Sequence, residues 1–191
     1  MVISISGTHC TGKSTLIEAL KKGFQNLLID VVFLKSSGRE RIKNVANIKI
    51  NEGGDFFSQL YFLSRDITQL SENFDRQLVI CDRSYLDTWV YSRYLYDNGK
   101  LTKREMDVLD GMKDSASLVL PIDATFILKP SYDLVDEENR SMSIDFQKEV
   151  EQLFDELLNP FSSQHRIEIL PNSDEERVKI IINFLKTKFT L

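Results

Sequence analysis

Cysteine is nearly absent from this chain. Cys10 and Cys81 are the only two among 191 residues, too few for the disulfide framework of a small secreted scaffold. No apolar run reaches the roughly 18 residues that a membrane-spanning helix needs. No stretch rich in proline, glycine or serine marks a linker, and no repeat or low-complexity tract is present. Basic excess is missing too: 24 Lys and Arg face 29 Asp and Glu, for a net charge of −5. That balance argues against nucleic acid or a membrane surface as the main partner. It leaves room for a small anionic ligand, because backbone N–H groups and a few arginines can reverse the field inside one pocket. Met1–Ser6 lacks a basic leader and reads as a strand rather than a signal peptide, so a cytoplasmic setting is expected.

What remains is an ordinary globular composition, 42% hydrophobic and 28% charged, in a chain of the size of one domain. Short β-branched runs alternate with helical patterns. Strands are expected at Val2–Ser6, Leu28–Leu34, Gln77–Cys81, Ala124–Leu128 and Arg166–Leu170. Helices are expected from Lys13, through Phe56, Leu60, Leu63, Ile67 and Leu70, and over Tyr85–Tyr96. A helix opening at a Thr102/Glu105 capping box should bury Leu109, Met112 and Ala116. Two more run through Phe146, Val150, Leu153 and Leu157, and from Ser173 with Glu176 as a second capping box. This alternation predicts one α/β domain over 1–191, a five-stranded parallel sheet with helices on both faces.

The first strand runs into Gly7-Thr8-His9-Cys10-Thr11-Gly12-Lys13-Ser14, the pattern G-x-x-x-x-G-K-[ST] between a strand and a helix. Gly7 and Gly12 allow backbone angles that turn successive N–H groups inward, onto phosphate oxygens. The helix start adds its unsatisfied N–H groups and positive dipole end. In this P-loop reading Gly7, Thr8, Thr11, Gly12, Lys13, Ser14 and Thr15 hold ATP. Lys13 bridges the β- and γ-phosphates and Ser14 ligates Mg²⁺. The third strand ends in Asp82-Arg83-Ser84, where ligands of doubly wound sheets bind. Asp82 is expected near the metal, as its ligand or as a base, and Arg83 offers a planar fork to phosphate.

These residues resemble the thymidylate kinase and deoxynucleoside kinase branch of P-loop kinases over nearly the whole chain. The likeness is carried by Gly7–Ser14, by Phe56-Phe57-Ser58-Gln59 through Leu63-Ser64-Arg65, by Asp82-Arg83-Ser84, and by Leu95–Leu101 with Glu105. It implies a P-loop NTPase fold and ATP-dependent phosphorylation of a nucleoside or a nucleoside monophosphate, with ATP and Mg²⁺ bound. It also implies roles: Gln59 on a base edge, Arg83 on phosphate or the acceptor hydroxyl, and Glu40 after Arg39 as base or metal-side carboxylate. Arg41 follows that glutamate where the family usually has proline. Arg39, Arg65 and Arg140 would serve a monophosphate, and Phe56 and Tyr85 could flank a base or belong to the core.

Gln59 and Arg65 are six residues apart, about 120° around an ideal helix, whereas the deoxynucleoside kinases space the pair by seven. A basic lid is expected over 129–142, but it carries only Arg140 as an obvious clamp. In this it is similar to the lid of nicotinamide-riboside-kinase-like proteins, which keeps a different small hydroxylated acceptor open, as does a non-catalytic ATP-binding role. Related enzymes are commonly dimers, so a homodimer is admitted. No Asn-Lys-x-Asp motif, and no Asp-x-x-Gly after the third strand, supports a GTPase switch.

Overall fold

The computed structural model describes residues 1–24, 29–35, 48–129, 144–159 and 173–188, and the backbone of 166–170. In chain order the elements are β1 (Val2–Ser6), α1 (Lys13–Phe24), β2 (Val31–Leu34), α2 (Phe56–Ser71), β3 (Leu78–Asp82), α3 (Tyr85–Asp97), α4 (Lys103–Val119), β4 (Ala124–Leu128), α5 (Ile144–Leu158), β5 (Arg166–Leu170) and α6 (Asp174–Lys188). The strands lie in the order β2-β3-β1-β4-β5, every adjacent pair parallel. The N-terminal strand is therefore central, and the chain reverses direction across the sheet on either side of it.

Side-chain alternation on β1 divides the interior in two. Ile3 and Ile5 face one core with Leu78, Ile80, Ala124, Phe126 and Leu128, covered by α1 through Leu16, Ile17 and Leu20 and by α6 through Ile181, Phe184 and Leu185. Val2, Val79, Cys81 and Ile127 face the other, beneath α2, α3, α4 and α5. Burying each large apolar side chain contributes about 1.5–3 kcal/mol, and strands covered on both faces read as unbroken apolar runs.

Ser4 and Ser6 of β1 fall on the second face and are fully buried. A buried hydroxyl must find a partner. They bond each other at 2.9 Å, and Ser6 donates to Asp87 Oδ2 at 2.7 Å. The polar thread thus runs from the central strand toward α3.

Local signals start the helices where the pattern expects them. Thr102 and Glu105 form a reciprocal capping box on α4. Glu176 N donates to Ser173 Oγ at 3.5 Å ahead of α6. Asp55 caps α2 by accepting from Ser58 N at 2.9 Å. Two boundaries shift: β2 begins at Val31 rather than Leu28, of which residues 25–28 lie outside the described set, and β3 begins at Leu78 and includes Asp82. The lid expected at 129–142 falls outside the described residues except for Lys129, whose ammonium pairs with Glu151 at 3.0 Å and Asp155 at 2.5 Å of α5. Among the described residues no helix is long and apolar enough to cross a membrane.

Candidate active site

The loop of residues 7–12 joins the C-terminal end of β1 to α1. Gly7 has φ +126°, and a Cβ there would stand 2.5 Å from the Leu128 carbonyl oxygen of β4. Cys10 at φ +58° and Gly12 at φ +83° are also left-handed. Such alternation builds a concave nest of N–H groups. Lys13 curls into the concavity, only 6% exposed. Its Nζ donates to the Thr8 carbonyl and, at 2.8 Å, to Thr11 Oγ1, and Thr11 Oγ1 donates to the Thr8 carbonyl at 3.2 Å. The ammonium thus sits against neutral oxygens that a phosphate would outcompete. Ser14 is half-buried at the first turn of α1, while Thr15 faces outward. His9 is buried and stacks on Phe146 of α5, ring centroids 5.5 Å apart.

The second side of the site is set by strand pairing. Ile5 of β1 is in register with Asp82 of β3, so that carboxylate stands level with the start of the loop. Arg83 follows at φ +69°, an uncommon state for a side chain of this size. Its N–H donates to the Ile5 carbonyl at 3.0 Å, and its guanidinium lies 5.3 Å from the centre of the Tyr91 ring. Burial works against the Arg83 charge, yet Tyr91 and the Asp87 carboxylate outweigh it and hold the group firmly cationic.

Ser84 caps α3, and Asp87 returns to the Ser84 N–H at 3.0 Å, completing a capping box. Sequence reasoning passed over Asp87, although Ser-x-x-Asp at 84–87 is the same kind of signal as the box at Thr102. Asp87 is 1% exposed. Burial pushes its carboxyl above the usual range, against the pull of Arg83, the Ser6 hydroxyl, the Ser84 N–H and Lys13. Its Oδ1 has no hydrogen-bond partner among the described residues.

Beyond the ends of β2 and β3 lies a cleft lined by Leu34 and Lys35, by Asp66, Gln69 and Leu70 of α2, and by Cys81, Arg83, Ser84 and Tyr85. Asp66 accepts from Thr88 Oγ1 at 2.7 Å. With its amide turned to satisfy both ends, Gln69 accepts from Arg65 Nε and Nη2 at 3.1 Å and donates to the Lys35 carbonyl at 3.2 Å. Arg65 therefore braces the cleft wall through Gln69.

Gln59 lies elsewhere. It is 4% exposed, its Oε1 accepts from Ser92 at 3.2 Å, and its Nε2 would stand 3.0 Å from a Cβ on Gly54. The residue seven positions after Gln59 is Asp66, and it is this one that lines the cleft. Phe56 packs against the core. Tyr85 forms a back wall, 2% exposed, with its hydroxyl given to the Leu120 carbonyl at 3.1 Å. Lys13 and Arg83 both act on the Asp87 carboxylate and Asp82 acts on Arg83; Arg39, Glu40 and Arg140 lie outside the described residues. No group of three or more His, Cys, Asp or Glu that could hold a metal occurs among the described residues.

A central parallel strand feeding a phosphate nest, with a carboxylate at the end of its neighbour, defines a P-loop α/β domain. The match to a family model agrees: a model described as an AAA domain covers residues 2–177, and the chain belongs to that family. A comparison with curated proteins finds no match. Among solved structures, the deoxyadenosine kinase of M. mycoides with the products dCMP and a flexible dCDP bound is similar. It has a TM-score of 0.73 and 17% identity, covering 98% of this chain and 100% of that one. The same protein with dATP bound gives a TM-score of 0.72 at 18% identity, covering 97% of this chain and 100% of that one. NadR protein in complex with NR aligns at a TM-score of 0.67 and 18% identity, covering 88% of this chain but 45% of that one. These likenesses establish the fold.

Proposed function

We propose that this protein is a P-loop kinase that transfers the γ-phosphoryl group of ATP to a nucleoside or nucleoside monophosphate. One observation carries the reading: the phosphate nest and the strained Arg83 sit at the carboxyl ends of two adjacent strands, β1 and β3, with the cleft opening beside Arg83. Donor and acceptor sites side by side are what in-line phosphoryl transfer requires. That solved structures of the same fold include a deoxyadenosine kinase and the NadR protein with NR supports the choice of acceptor class.

In this mechanism the N–H groups of 7–13 and the Lys13 ammonium bind the ATP phosphates. Arg83 lies where it can meet charge developing on the transferred group or steer the acceptor, and Arg140 is proposed to close from the lid. Asp82 is the candidate to orient or deprotonate the acceptor oxygen, with Glu40 as the alternative. The Ser14 hydroxyl, half-buried at the first turn of α1, and the Asp82 carboxylate, level with the start of the phosphate loop, are the residues that would hold Mg²⁺, oxygen donors of the kind that ion takes. The ion would neutralise phosphate charge. The proposal includes a cytoplasmic setting, a homodimer, and a small molecule rather than nucleic acid as acceptor, in keeping with a net charge of −5.

The test is ADP release with ATP–Mg²⁺ against nucleosides, deoxynucleosides, their monophosphates and nicotinamide riboside. One acceptor class should stimulate release, and Lys13→Ala should lower the rate by about 10²–10³-fold. ATP binding without stimulation by any acceptor would refute the nucleoside-kinase reading and leave a nucleotide-binding module.

A further inference from the structure

The phosphate loop is held from behind by a residue 166 positions away in the sequence. Arg177, on the first turns of α6, is 5% exposed. Its Nη1 donates to the Thr11 carbonyl at 3.2 Å and pairs with Asp174 Oδ1 at 3.2 Å. Asp174 is about half-exposed, at 49%, and stands one helical turn before the arginine. The pair joins the last helix of the chain to the tightest part of its first loop.

Covalent geometry gives this contact a direction. In a trans peptide the C=O and N–H of one plane point opposite ways, and no cis bond occurs among the described residues. The Thr11 carbonyl and the Gly12 N–H share such a plane. With the Thr11 carbonyl committed to Arg177, the Gly12 N–H is turned to the opposite side of that peptide plane. The following carbonyl, that of Gly12, is committed as well, accepting from Leu16 N at 3.0 Å as the first bond of α1. Both peptide planes on either side of Gly12 are therefore fixed.

The glycine itself has a second reason to be there. A Cβ on Gly12 would stand 3.0 Å from Arg177 Nη1 and 3.9 Å from Asp174 Oδ1. The missing side chain both permits φ +83° and leaves the guanidinium room to reach the carbonyl.

We propose that Arg177, held by Asp174, is a positioning residue of the phosphate loop that pre-orients the Gly12 N–H for a polyphosphate. The proposal rests on reading residues 7–14 as the ATP site. It predicts an effect on phosphate recognition and none specific to the base, because the oriented group is a backbone N–H.

The experiment measures binding of ATP and of inorganic tripolyphosphate to the full chain by calorimetry, with circular dichroism confirming the fold at the working temperature. Arg177→Met keeps much of the apolar stem and removes the donors, and Arg177→Lys restores one donor and the charge. Arg177→Met should weaken both ligands by a similar factor, on the order of tenfold, and Arg177→Lys should recover most of the loss. Should Arg177→Met not fold, Asp174→Asn, which loosens the guanidinium without touching the loop, should weaken both ligands by a smaller, equal factor. Unchanged affinity in a folded Arg177→Met or Asp174→Asn protein overturns the proposal and leaves Arg177 as a packing residue. Loss of ATP affinity without loss of tripolyphosphate affinity overturns it too, since it would place the effect at the base. A wild-type protein that binds neither ligand would instead remove the ATP-site reading on which the proposal stands.

Discussion

Gly7→Ala and Gly23→Ala are the same chemical change with opposite expected signs, and together they test whether the phosphate loop is closed against β4. At Gly7 the added Cβ meets the Leu128 carbonyl oxygen at 2.5 Å and its nitrogen at 3.3 Å, while φ is +126°. Neither obstacle is a side-chain tip that can swing away; both are backbone of a buried central strand. Strain of a non-glycine residue at such an angle costs about 1–3 kcal/mol, and forcing atoms into a packed site costs about 1–3 kcal/mol more. A loss of about 2–6 kcal/mol is expected, which at a urea dependence of about 2–3 kcal/mol per molar moves the midpoint down by roughly 0.7–3 M. Gly23 lies in α1, and a methyl group added there would have nothing within 4 Å, so alanine should stabilise. The gain there is about 0.5–1 kcal/mol, from helix propensity and a less flexible unfolded chain. Urea titrations followed by circular dichroism measure both. If Gly7→Ala costs less than about 1 kcal/mol, the loop is not packed on Leu128 as described and the steric argument fails.

Asp87 sets a pH dependence. Its carboxyl is raised above an ordinary value of 3.8 by burial, so above that pH the folded state holds more protons than the unfolded one. Its contribution to stability then falls as pH rises through the folded value. Asp87→Asn should lose that slope, so the variant gains on wild type in urea midpoints measured from pH 4 upward; a constant difference would show that no net shift exists. Asp66→Asn should raise KM for the acceptor severalfold and leave KM for ATP unchanged, because Asp66 lines the cleft on the β2–β3 side. Equal effects on both substrates would place Asp66 outside the acceptor site.

The glycine-loop half of the candidate site was legible as a pattern because its geometry is local. Backbone N–H groups, two glycines and a lysine within eight consecutive residues specify the nest, and the strand before and helix after them are strong local patterns. The parallel α/β fold was legible for a related reason, since two-sided burial leaves its mark in unbroken apolar strands. The cleft beside Arg83 was not. Gln59 matches a motif by spacing along the chain, yet its direction is fixed by Ser92 on a neighbouring helix and by the space over Gly54. Arg65 is likewise claimed by Gln69. Asp66 lines the cleft with its carboxylate bonded to Thr88 of α3, a partner on another helix that the sequence of α2 alone does not encode. Arg177 was invisible for the plainest reason: its partner is 166 residues away.

Strain and burial divide the work at this site in a consistent way. Among the described residues only Cys10, Asn51 and Arg83 are non-glycine residues with positive φ. Asparagine tolerates that region through its short polar side chain; the other two stand at the phosphate loop and at the end of β3. Each costs about 1–3 kcal/mol and persists only where surrounding contacts over-determine it. For Arg83 those contacts are the Ile5 carbonyl, the face of Tyr91 and the buried charge of Asp87. Asp87 is in turn held by Ser6 of β1 and the cap at Ser84. The same strand that launches the phosphate loop therefore anchors the carboxylate behind Arg83. A shift of β1 relative to α3 would disturb both halves at once, which is a physical reason for burying serines, rather than apolar residues, at positions 4 and 6 of the central strand.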